Sequence, residues 1–267
     1  MEEQGTEPAT FTEHSQEEHI PVDKDGCINL QTLDPDKIWY EEPLLFQKPQ
    51  DRNGVCAVTE TLPLHLLYSA YIQGVFPWFD EAGGEPVVWY NPDPRFCIKP
   101  EDFHVPKSID RFLKHTPYTY TMDKCFKQVM ESCRDAKRQG QNGTWIGPKM
   151  IRAYCGLHKA GFAHSVEVWH NGELVGGFYG ELFGSIFCGE SMFTKESDSA
   201  KSAFVLFARA FFACGGMLID SQVYTDNIAR YGAKNISRDA FLRLEKEYIA
   251  KPLSADIRSK FPTLTQN

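Results

Sequence analysis

Residues 189–222 read GESMFTKESDSAKSAFVLFARAFFACGGMLIDSQ, and this stretch decides the fold class. A short apolar run predicts a strand over residues 185–191. The apolar segment 200–214 has the length of a helix and is followed by a pair of glycines, which commonly end helices. A second buried strand is predicted over residues 217–224. Strands interleaved with helices are typical of an α/β (α+β) protein, so a mixed sheet is the expected core.

The residues just upstream predict a hairpin in the same sheet. Val166 and Val168 alternate with Glu167 and Trp169, and Asn171-Gly172 then supplies the strongest short signal for a two-residue hairpin turn. A second strand follows from Leu174 past Tyr179. Gly176-Gly177 interrupts that strand, which indicates either a bulge or bend, or the close approach of a ligand to the backbone.

Helical spacing of apolar residues predicts further helices before the hairpin. The first covers residues 62–73 and is followed by Gly74, a usual residue just past a helix end, so Trp78 is expected on a loop. A second helix, on which Phe126 and Val129 share a face, should end near Gly140. A third should begin at a proline, residue 148, and end before residue 161.

Two polar residues lie inside the last predicted strand. Asp220 and Gln222 are two positions apart, so a regular strand would project both from one face of the sheet. A buried carboxylate and amide must be satisfied by neighbours, or they handle a substrate. From the strand alone, a structural network and a functional site are both open.

A series of motifs in fixed order resembles the leucyl/phenylalanyl-tRNA–protein transferases. The resemblance covers roughly residues 45–245, which makes it far more specific than any single short motif. The matching segments are Ala70-Tyr71-Ile72-Gln73-Gly74-Val75-Phe76-Pro77-Trp78, Asn91-Pro92-Asp93-Pro94-Arg95, Trp145-Ile146, Ala163-His164-Ser165-Val166-Glu167-Val168-Trp169, Leu174-Val175-Gly176-Gly177-Phe178-Tyr179-Gly180, Phe187-Cys188-Gly189-Glu190-Ser191-Met192-Phe193 and Ile219-Asp220-Ser221-Gln222.

The resemblance implies a fold, a domain division and an activity. The expected fold is that of the GCN5-related acyltransferases with a small N-terminal domain. The expected division is an acidic disordered tail (1–37), the N-terminal domain (38–95), an acetyltransferase-like aminoacyltransferase domain (96–250) and a C-terminal tail (251–267). The implied activity is transfer of Leu, Phe or possibly Met from aminoacyl-tRNA to the N-terminal α-amine of proteins that begin with Arg or Lys. Such transfer would mark the acceptor for degradation.

The resemblance also assigns candidate site residues. Residues matching catalytic or acceptor-binding positions are Glu190, Asp220 and Gln222. Trp78 and Trp145 match positions that hold the terminal adenosine of the tRNA, although each could also be a core tryptophan. The donor side-chain pocket is expected to be lined by Phe178, Phe187, Met192, Phe207 and Ile219, which by pattern alone look like ordinary core residues.

The implied reaction is aminolysis of an activated ester by an α-amine whose ordinary pKa is about 7.7–8.0. Part of that amine is neutral near neutral pH, so positioning and charge stabilisation suffice and no cofactor or metal is expected. We expect Gln222 to hydrogen-bond the amine or the ester carbonyl, and Asp220 to fix and polarise Gln222. Glu190 would attract the cationic N-terminus.

Charge divides the chain into two parts. Residues 1–50 carry a net charge of −9, from 12 acidic and 3 basic side chains, which leaves +1 for the remainder of a chain whose total is −8. The early residues have few aromatics and many acids, a composition typical of disorder. Residues 107–159 carry +7, from 11 basic and 4 acidic side chains. That excess is either a footprint for the tRNA backbone or a set of solvated helix faces.

Cysteine and histidine spacing argues against a metal site and for a reducing compartment. The eight cysteines include no C-x-x-C pair, which predicts reduced, mostly buried thiols. His158 and His164 lack the spacing of a metal-binding pair. No apolar run of membrane-spanning length and no signal peptide is present, so a soluble, cytoplasmic protein without membrane partners is expected.

Departures from the family pattern keep alternatives open. Phe178 stands where methionine is common, which could narrow the donor pocket and favour leucine. Arg230 is a polar addition after the last strand and, with Asn227, is a candidate for acceptor specificity. Arg230 could prefer acidic N-termini. The alternatives are therefore the same chemistry with acidic acceptors or a different donor, or a catalytically silent module that binds tRNA or peptide ends.

Overall fold

The computed structural model describes residues 19–136 and 144–261, and within them the helices and strands follow the predicted order. The strands are β1 (Val55–Thr59), β2 (Phe76–Trp78), β3 (Val87–Tyr90), β4 (Arg95–Ile98), β5 (Thr119–Met122), β6 (Ala163–His170), β7 (Glu173–Phe183), β8 (Ile186–Thr194), β9 (Leu218–Asp220) and β10 (Lys234–Ile236). The helices are α1 (Leu64–Tyr71), α2 (Lys107–Leu113), α3 (Phe126–Asp135), α4 (Pro148–Lys159), α5 (Ser199–Ala213), α6 (Asp226–Ala229) and α7 (Arg238–Ile249), with a 3-10 helix at Ile257–Ser259.

The central sheet is mixed, as predicted. Its strand order is β10-β4-β9-β8-β7-β6-β5, and every neighbouring pair is antiparallel except β8 and β9. Those two strands are parallel because α5 carries the chain back from the end of one to the start of the other. The quoted stretch therefore contains the second part of β8, the connecting helix and β9, while Ile186, Phe187 and Cys188 just before it make the parallel pairing.

The predicted hairpin is confirmed. Asn171 and Gly172 both have positive φ, 51° and 83°, as the predicted two-residue turn requires. Gly176 lies beside a bulge, because Val168 pairs with Gly176 whereas the next residue, Trp169, pairs with Leu174. A side chain at Gly176 would meet Ser199 at the start of α5. The glycine pair is thus explained by a bulge and by close helix packing.

Apolar side chains cover both faces of the sheet. On one face α1, α3 and α4 pack through residues such as Leu67, Val129 and Tyr154. On the other face α2 and α5 pack through residues such as Ile109 and Phe211. Each helix turns its apolar stripe inward. Burial of that stripe stabilises the folded state by about 25 cal/mol per Å² of apolar surface removed from water.

A smaller three-stranded sheet, of order β1-β3-β2, is formed by strands that all precede β4 in the sequence, with α1 inserted between β1 and β2. Helix α1 ends at Tyr71, earlier than predicted, and Gly74 has a φ of +68°, as expected for a glycine past a helix end. Trp78 was expected on a loop, and this prediction is wrong. It is the last residue of β2, where it pairs with Val88, because the chain after Gly74 joins the sheet directly.

The predicted helix ends are confirmed only in part. Helix α4 begins at Pro148, and Gly161 beyond its end has a φ of +83°. Helix α3 ends at Asp135, while the predicted end near Gly140 lies outside the described residues. The basic side chains carried by α2, α3 and α4 are divided between the two sides of the sheet, since α2 lies with α5 and the pair α3 and α4 lies opposite.

The predicted domain boundaries remain predictions. Residues 1–18 of the acidic tail lie outside the described part, and within 19–37 Leu33 is buried and Pro35 accepts a hydrogen bond from Leu64.

None of the eight cysteines, all of which lie in the described residues, forms a disulfide, and four of them are buried. No helix within residues 19–136 and 144–261 is long and apolar enough to cross a membrane.

Candidate active site

One cavity of about 420 Å³ opens where the small sheet meets the ends of β8 and β9. It brings together most of the residues that the sequence selected. Its lining comprises Phe76, Pro77, Trp78, Trp145, Phe178, Tyr179, Phe187, Gly189, Glu190, Ser191, Met192, Phe204, Ile219, Asp220, Ser221, Gln222, Val223, Thr225, Asn227 and Ile228.

Glu190 borders this cavity from a β-bulge in β8. Along the β7–β8 pair, Tyr179 is opposite Ser191 whereas Gly180 is opposite Gly189, so Glu190 is the extra residue. A bulge re-aims side chains and reverses the alternation that follows. Before the bulge, Cys188 faces the layer of α3 and α4. In a regular strand Met192 would face that layer too, but after the bulge Phe193 faces it and Met192 faces the opposite side.

Glu190 is surrounded by hydrogen-bond donors. Tyr71 donates its hydroxyl to Oε1 at 2.6 Å, and Gln222 donates its side-chain Nε2–H to the same oxygen at 2.5 Å. The hydroxyl of Tyr154 lies 2.5 Å from that of Tyr71 and 3.5 Å from Oε2 of Glu190. Burial raises the pKa of Glu190 above its ordinary value, although hydrogen bonds from Tyr71 and Gln222 oppose that rise.

Gln222 does not share a strand face with Asp220, and that prediction is wrong. Strand β9 ends at Asp220, and Gln222 adopts a left-handed backbone with a φ of +62°. The reason is local, because the Asp220 carboxylate accepts a hydrogen bond from the backbone N–H of Gln222 at 2.8 Å and curls the chain back. The side-chain amide of Gln222 is consequently directed to Glu190 and not to Asp220.

Asp220 is paired with a buried arginine. The Nη2 of Arg95 lies 2.6 Å from Oδ2 of Asp220, and its Nε donates to both carboxylate oxygens at 2.9 and 3.0 Å. Both side chains are almost completely buried, with 1% and 0% exposed. The Asp220 carboxylate raises the pKa of Arg95 further, against the opposing effect of burial. Burying this charge pair requires such ideal geometry, because each ion loses its hydration.

Arg95 also connects the small sheet to the site. Its Nη1 donates to the carbonyl of Gly74 at 2.7 Å. The guanidinium carbon lies over the rings of Phe76 and Phe241, 5.0 and 4.3 Å from their centroids. Gly74 and Phe76 begin the segment that ends in Trp78, so the Arg95–Asp220 pair fixes this segment relative to β9.

The apolar wall matches the predicted donor pocket with one correction. Phe178, Phe187, Met192 and Ile219 line the cavity, but Phe207 does not. Phe207 is 1% exposed and packs behind Phe187, with ring centroids 4.4 Å apart. Phe204, one turn earlier on α5, lines the cavity instead. Both face the sheet because helical spacing places them on one stripe.

Trp78 and Trp145 flank the mouth of the cavity. Trp78 is 47% exposed, unlike the buried Trp89 next to it in the sheet, and packs edge-on against Tyr90. Trp145 lies just before α4 and is half-buried. The exposed indole of Trp78 leaves a large apolar surface in contact with solvent at the cavity mouth. A core tryptophan would be buried, so the core interpretation does not explain this exposure.

The two residues selected for acceptor specificity lie in different places. Asn227, on α6, lines the cavity, and its Nδ2 lies 2.8 Å from the sulfur of Met192. Arg230 is exposed and is not part of the lining, while the adjacent Tyr231 is buried against Phe204. Within the described part of the chain, the lining contains Glu190 and Asp220 but no Lys, Arg or His.

The sequence reasoning missed several residues of this site. Arg95 ends a motif that was quoted, and a buried aspartate such as Asp220 demands a cation, but the sequence gives no distance between them. Tyr71 belongs to a quoted motif as well. For Glu181 and Tyr154, the sequence shows only that a polar side chain lies within an apolar strand or helix. In residues 19–136 and 144–261, no group of three or more His, Cys, Asp or Glu side chains is arranged to hold a metal ion.

Comparison with known proteins identifies two matching family models. The model described as leucyl/phenylalanyl-tRNA protein transferase matches residues 97–246, and the model for the N-terminal domain of that transferase matches residues 60–93. A relative from Myxococcus xanthus is 46% identical over 204 residues, which cover 76% of this chain and 86% of the relative. A relative from Yersinia enterocolitica is 44% identical over 207 residues, covering 78% and 86%. Both are named leucyl/phenylalanyl-tRNA–protein transferase.

Solved structures with a similar arrangement include more distant proteins. A GCN5-related N-acetyltransferase from Kribbella flavida is 12% identical with a TM-score of 0.33, covering 64% of this chain and 60% of that protein. The L-PGS structure from Bacillus licheniformis is 13% identical with a TM-score of 0.33, covering 61% and 54%.

Proposed function

The chain belongs to the leucyl/phenylalanyl-tRNA–protein transferase family and is an aminoacyltransferase, and from this premise we propose that it transfers leucine or phenylalanine, and methionine more weakly, to proteins that begin with arginine or lysine. The donor is the charged tRNA and the nucleophile is the acceptor's N-terminal α-amine. The new N-terminal residue then marks the acceptor for degradation. The observation that carries the proposal is that one cavity joins two mouth tryptophans, an apolar pocket and the cluster around Glu190 and Gln222.

The donor end of the cavity suits an aminoacylated adenosine. We assign Trp78 and Trp145 to the adenine base, since an aromatic ring stacked on a base contributes about 1–3 kcal/mol. The apolar wall of Phe178, Phe187 and Phe204 receives the amino-acid side chain. Such a wall separates similar apolar side chains by only about 1–3 kcal/mol, so more than one donor is accepted.

The reaction is ester aminolysis. The neutral α-amine attacks the carbonyl carbon of the aminoacyl ester, and a C–N bond forms while the C–O bond to the ribose breaks. The amine loses one proton, and the ribose oxygen gains one as it leaves. Because the ester is already activated, most of the rate comes from holding the two substrates in line and from stabilising developing charge.

Gln222 is assigned the central positioning role. Its amide faces Glu190, and a carboxylate accepts hydrogen bonds but cannot donate them, so the amide NH₂ is turned towards Glu190. The amide oxygen is then available to accept an N–H from the attacking amine. Ionised Glu190 attracts the acceptor's ammonium group to the same point.

Asp220 acts through the backbone in this proposal. It holds the left-handed turn at Gln222 through the backbone N–H at 2.8 Å, and its own charge is neutralised by Arg95. The earlier expectation of direct polarisation of the Gln222 side chain is replaced, because that side chain bonds Glu190. Asp220 is accordingly a positioning residue.

The charge of the cavity favours basic acceptors. Its lining carries Glu190 without a basic side chain among the described residues, since the charge of Asp220 is paired with Arg95, and Asn227 adds a neutral amide. An N-terminal Arg or Lys brings a second positive charge into this field, whereas an acidic residue would be repelled. Arg230, the residue that suggested acidic acceptors, lies outside the lining.

A transfer assay read by mass spectrometry tests the proposal. The enzyme is offered tRNAs charged with Leu, Phe, Met or Arg, together with peptides that begin with Arg, Lys, Asp or Glu. We expect transfer of Leu and Phe to the Arg and Lys peptides. Transfer confined to Asp or Glu peptides would show that acceptor choice has switched towards the Arg230 interpretation. Efficient transfer of Arg would contradict the assigned donor pocket.

A further inference from the structure

A second glutamate lies behind Glu190 and has no role in the reaction as described so far. Glu181, on β7, is 0% exposed and does not line the cavity. Within the part of the chain that the structure describes, neither of its carboxyl oxygens has a hydrogen-bond partner of ordinary geometry. An ionised carboxylate in such a place would lose its hydration without compensation, which costs several kcal/mol.

The strand geometry places Glu181 and Glu190 on the same face. Glu181 follows the alternation of β7 and points, like Tyr179 and Phe183, towards the layer of α1, α3 and α4. Glu190 follows the alternation of Ile186 and Cys188 along β8 and faces the same layer, where it bonds Tyr71 on α1. The two carboxyl groups therefore meet inside the protein, and a hydrogen bond between two carboxyl groups requires a proton on one of them.

We propose that Glu181 is a positioning residue that keeps its carboxyl proton and donates it as a hydrogen bond to Glu190. Glu190 is the partner that ionises because it already receives donors that Glu181 lacks, the hydroxyl of Tyr71 and the amide of Gln222. Tyr154 supports the first of these by donating to Tyr71. Glu181 supplies a further donor from the buried side.

The inference rests on the proposed function for its consequence and deepens the role of Glu190. With Glu181 neutral, Glu190 is the anion that faces the acceptor amine, and its charge is stabilised by donors on the protein side. Burial and the nearby Glu190 carboxylate both raise the pKa of Glu181 well above its ordinary value. When the pair holds one proton, that proton is therefore on Glu181.

Other titratable groups around the pair do not supply this proton. Burial raises the pKa of Tyr71 and that of Tyr154 well above the ordinary value, so both stay protonated donors. Arg95 is committed to Asp220. The titratable groups facing the pair from the surrounding elements are Tyr71 on α1, Tyr154 on α4, Cys188 on β8 and Asp220 on β9. Tyr179 faces Tyr154, while Arg95, Cys97 and Glu245 lie around Asp220.

Two substitutions at this position separate a neutral Glu181 from an ionised one. Glu181→Gln keeps an N–H donor towards Glu190 and adds no charge. Glu181→Leu removes the donor, so the pKa of Glu190 rises and the acidic midpoint of kcat/KM against pH moves upward. A shift of one pH unit is about a tenfold loss of kcat/KM below the midpoint. The acceptor amine titrates identically in all variants, so differences between profiles report on the enzyme.

The first measurement uses the resting enzyme without substrates. Infrared difference spectra between wild type and Glu181→Gln at neutral pH should contain the C=O stretch of a protonated carboxyl group. Glu167→Gln is the matched control, because Glu167 is also 0% exposed but accepts hydrogen bonds from Thr121, Ser165 and two backbone N–H groups. The control spectrum should lack that band. Absence of the band from the Glu181→Gln spectrum would overturn the proposal, whatever the transfer assay gives.

The second measurement is the pH profile of kcat/KM. We expect the Glu181→Gln midpoint to stay within about 0.3 pH units of wild type and the Glu181→Leu midpoint to rise by about one unit. A midpoint that falls by one unit in Glu181→Gln would mean that a negative charge was removed, so Glu181 would be ionised and the proposal wrong. An unchanged profile in a folded Glu181→Leu protein would also contradict it. Thermal unfolding by circular dichroism establishes that each variant is folded.

Discussion

The two walls of the cavity are held together in opposite ways. The wall that we propose for the donor side chain, called the donor wall from here on, consists of aromatic rings packed on one another, with 6.2 Å between the centroids of Phe178 and Phe187 and 6.1 Å between those of Phe178 and Phe204. The opposite wall is a chain of directed bonds from Arg95 through Asp220 and Gln222 to Glu190. Apolar packing depends on volume and tolerates exchange, whereas each bond in the polar chain needs both partners.

This difference predicts how the site responds to mutation. A change in the donor wall should alter which amino acid is used and leave the fold intact. A change in the polar wall should remove either stability or reactivity, because a buried group that loses its partner keeps its full desolvation penalty. The substitutions below test that division.

The largest effect is expected from Arg95→Met, which leaves the Asp220 carboxylate buried without its cation. The free energy of unfolding should fall by about 3–5 kcal/mol, as when one partner of a buried ion pair is removed. Urea denaturation followed by circular dichroism measures this loss. The control is Lys48→Met, because Lys48 forms an equally short pair with Asp239, both side chains being 62% exposed.

An exposed pair of this kind contributes about 0–1 kcal/mol, so the control should unfold almost like wild type. If Arg95→Met lost no more stability than Lys48→Met, the ion pair would not organise the polar wall. The contrast between the two walls would then rest on catalysis alone.

The next largest effect is expected on rate. Gln222→Ala removes the amide that faces Glu190 and should lower kcat/KM more than a hundredfold. That factor corresponds to a loss of more than about 3 kcal/mol of transition-state stabilisation. Steady-state transfer of leucine to an Arg peptide measures it. Asn235→Ala removes an exposed amide from β10, an edge strand that contributes no residue to the cavity lining, and should leave kcat/KM unchanged. Wild-type kinetics for Gln222→Ala would contradict the role given to this residue.

The sequence predicted the donor wall better than the polar wall, for a physical reason. The family resemblance selected Phe178, Phe187, Met192 and Ile219, all of which line the cavity, whereas apolar periodicity alone gives them as ordinary core residues. Periodicity reports only regular strands, in which side chains repeat every two residues. The polar wall depends on interruptions of that regularity. The bulge at Glu190 and the left-handed turn at Gln222 each shift one residue relative to the strand, and no periodic pattern contains them.

Long-range pairing was also beyond the sequence. Arg95 and Asp220 are 125 positions apart and meet because β4 lies beside β9 in the sheet order, which the spacing of motifs does not determine. The exchange of Phe207 for Phe204 is a smaller error of the same kind. Both rings lie on one stripe of α5, and only the three-dimensional position of the cavity decides which of them borders it.

A moderate effect is expected at the cavity mouth, where the two walls meet. Trp78→Ala should raise KM for the charged tRNA by a factor equivalent to about 1–3 kcal/mol, because one base-stacking surface is lost, and should change kcat little. Trp78→Phe keeps an aromatic face and should recover most of the affinity. Kinetics with increasing concentrations of Leu-tRNA distinguish the two variants. Equal KM values for Trp78→Ala and wild type would remove Trp78 from the proposed adenosine site.

The smallest effect is expected from Phe178→Met, which exchanges one apolar side chain of the donor wall for a thinner, more flexible one. Phe178 narrows the pocket, so wild type should prefer leucine, and the substitution should raise kcat/KM for phenylalanine relative to leucine by about tenfold, or about 1.4 kcal/mol. Competition between Leu-tRNA and Phe-tRNA, read by mass spectrometry of the products, gives the ratio directly.

Phe211→Met is the matched control for this ratio. Phe211 is 0% exposed on α5 and stacks on Phe207, with centroids 5.8 Å apart, but does not border the cavity. It should leave the ratio unchanged while destabilising the core to a similar degree. If both variants shifted the ratio equally, donor choice would depend on general softening of the core, and the apolar wall would be as interdependent as the polar one.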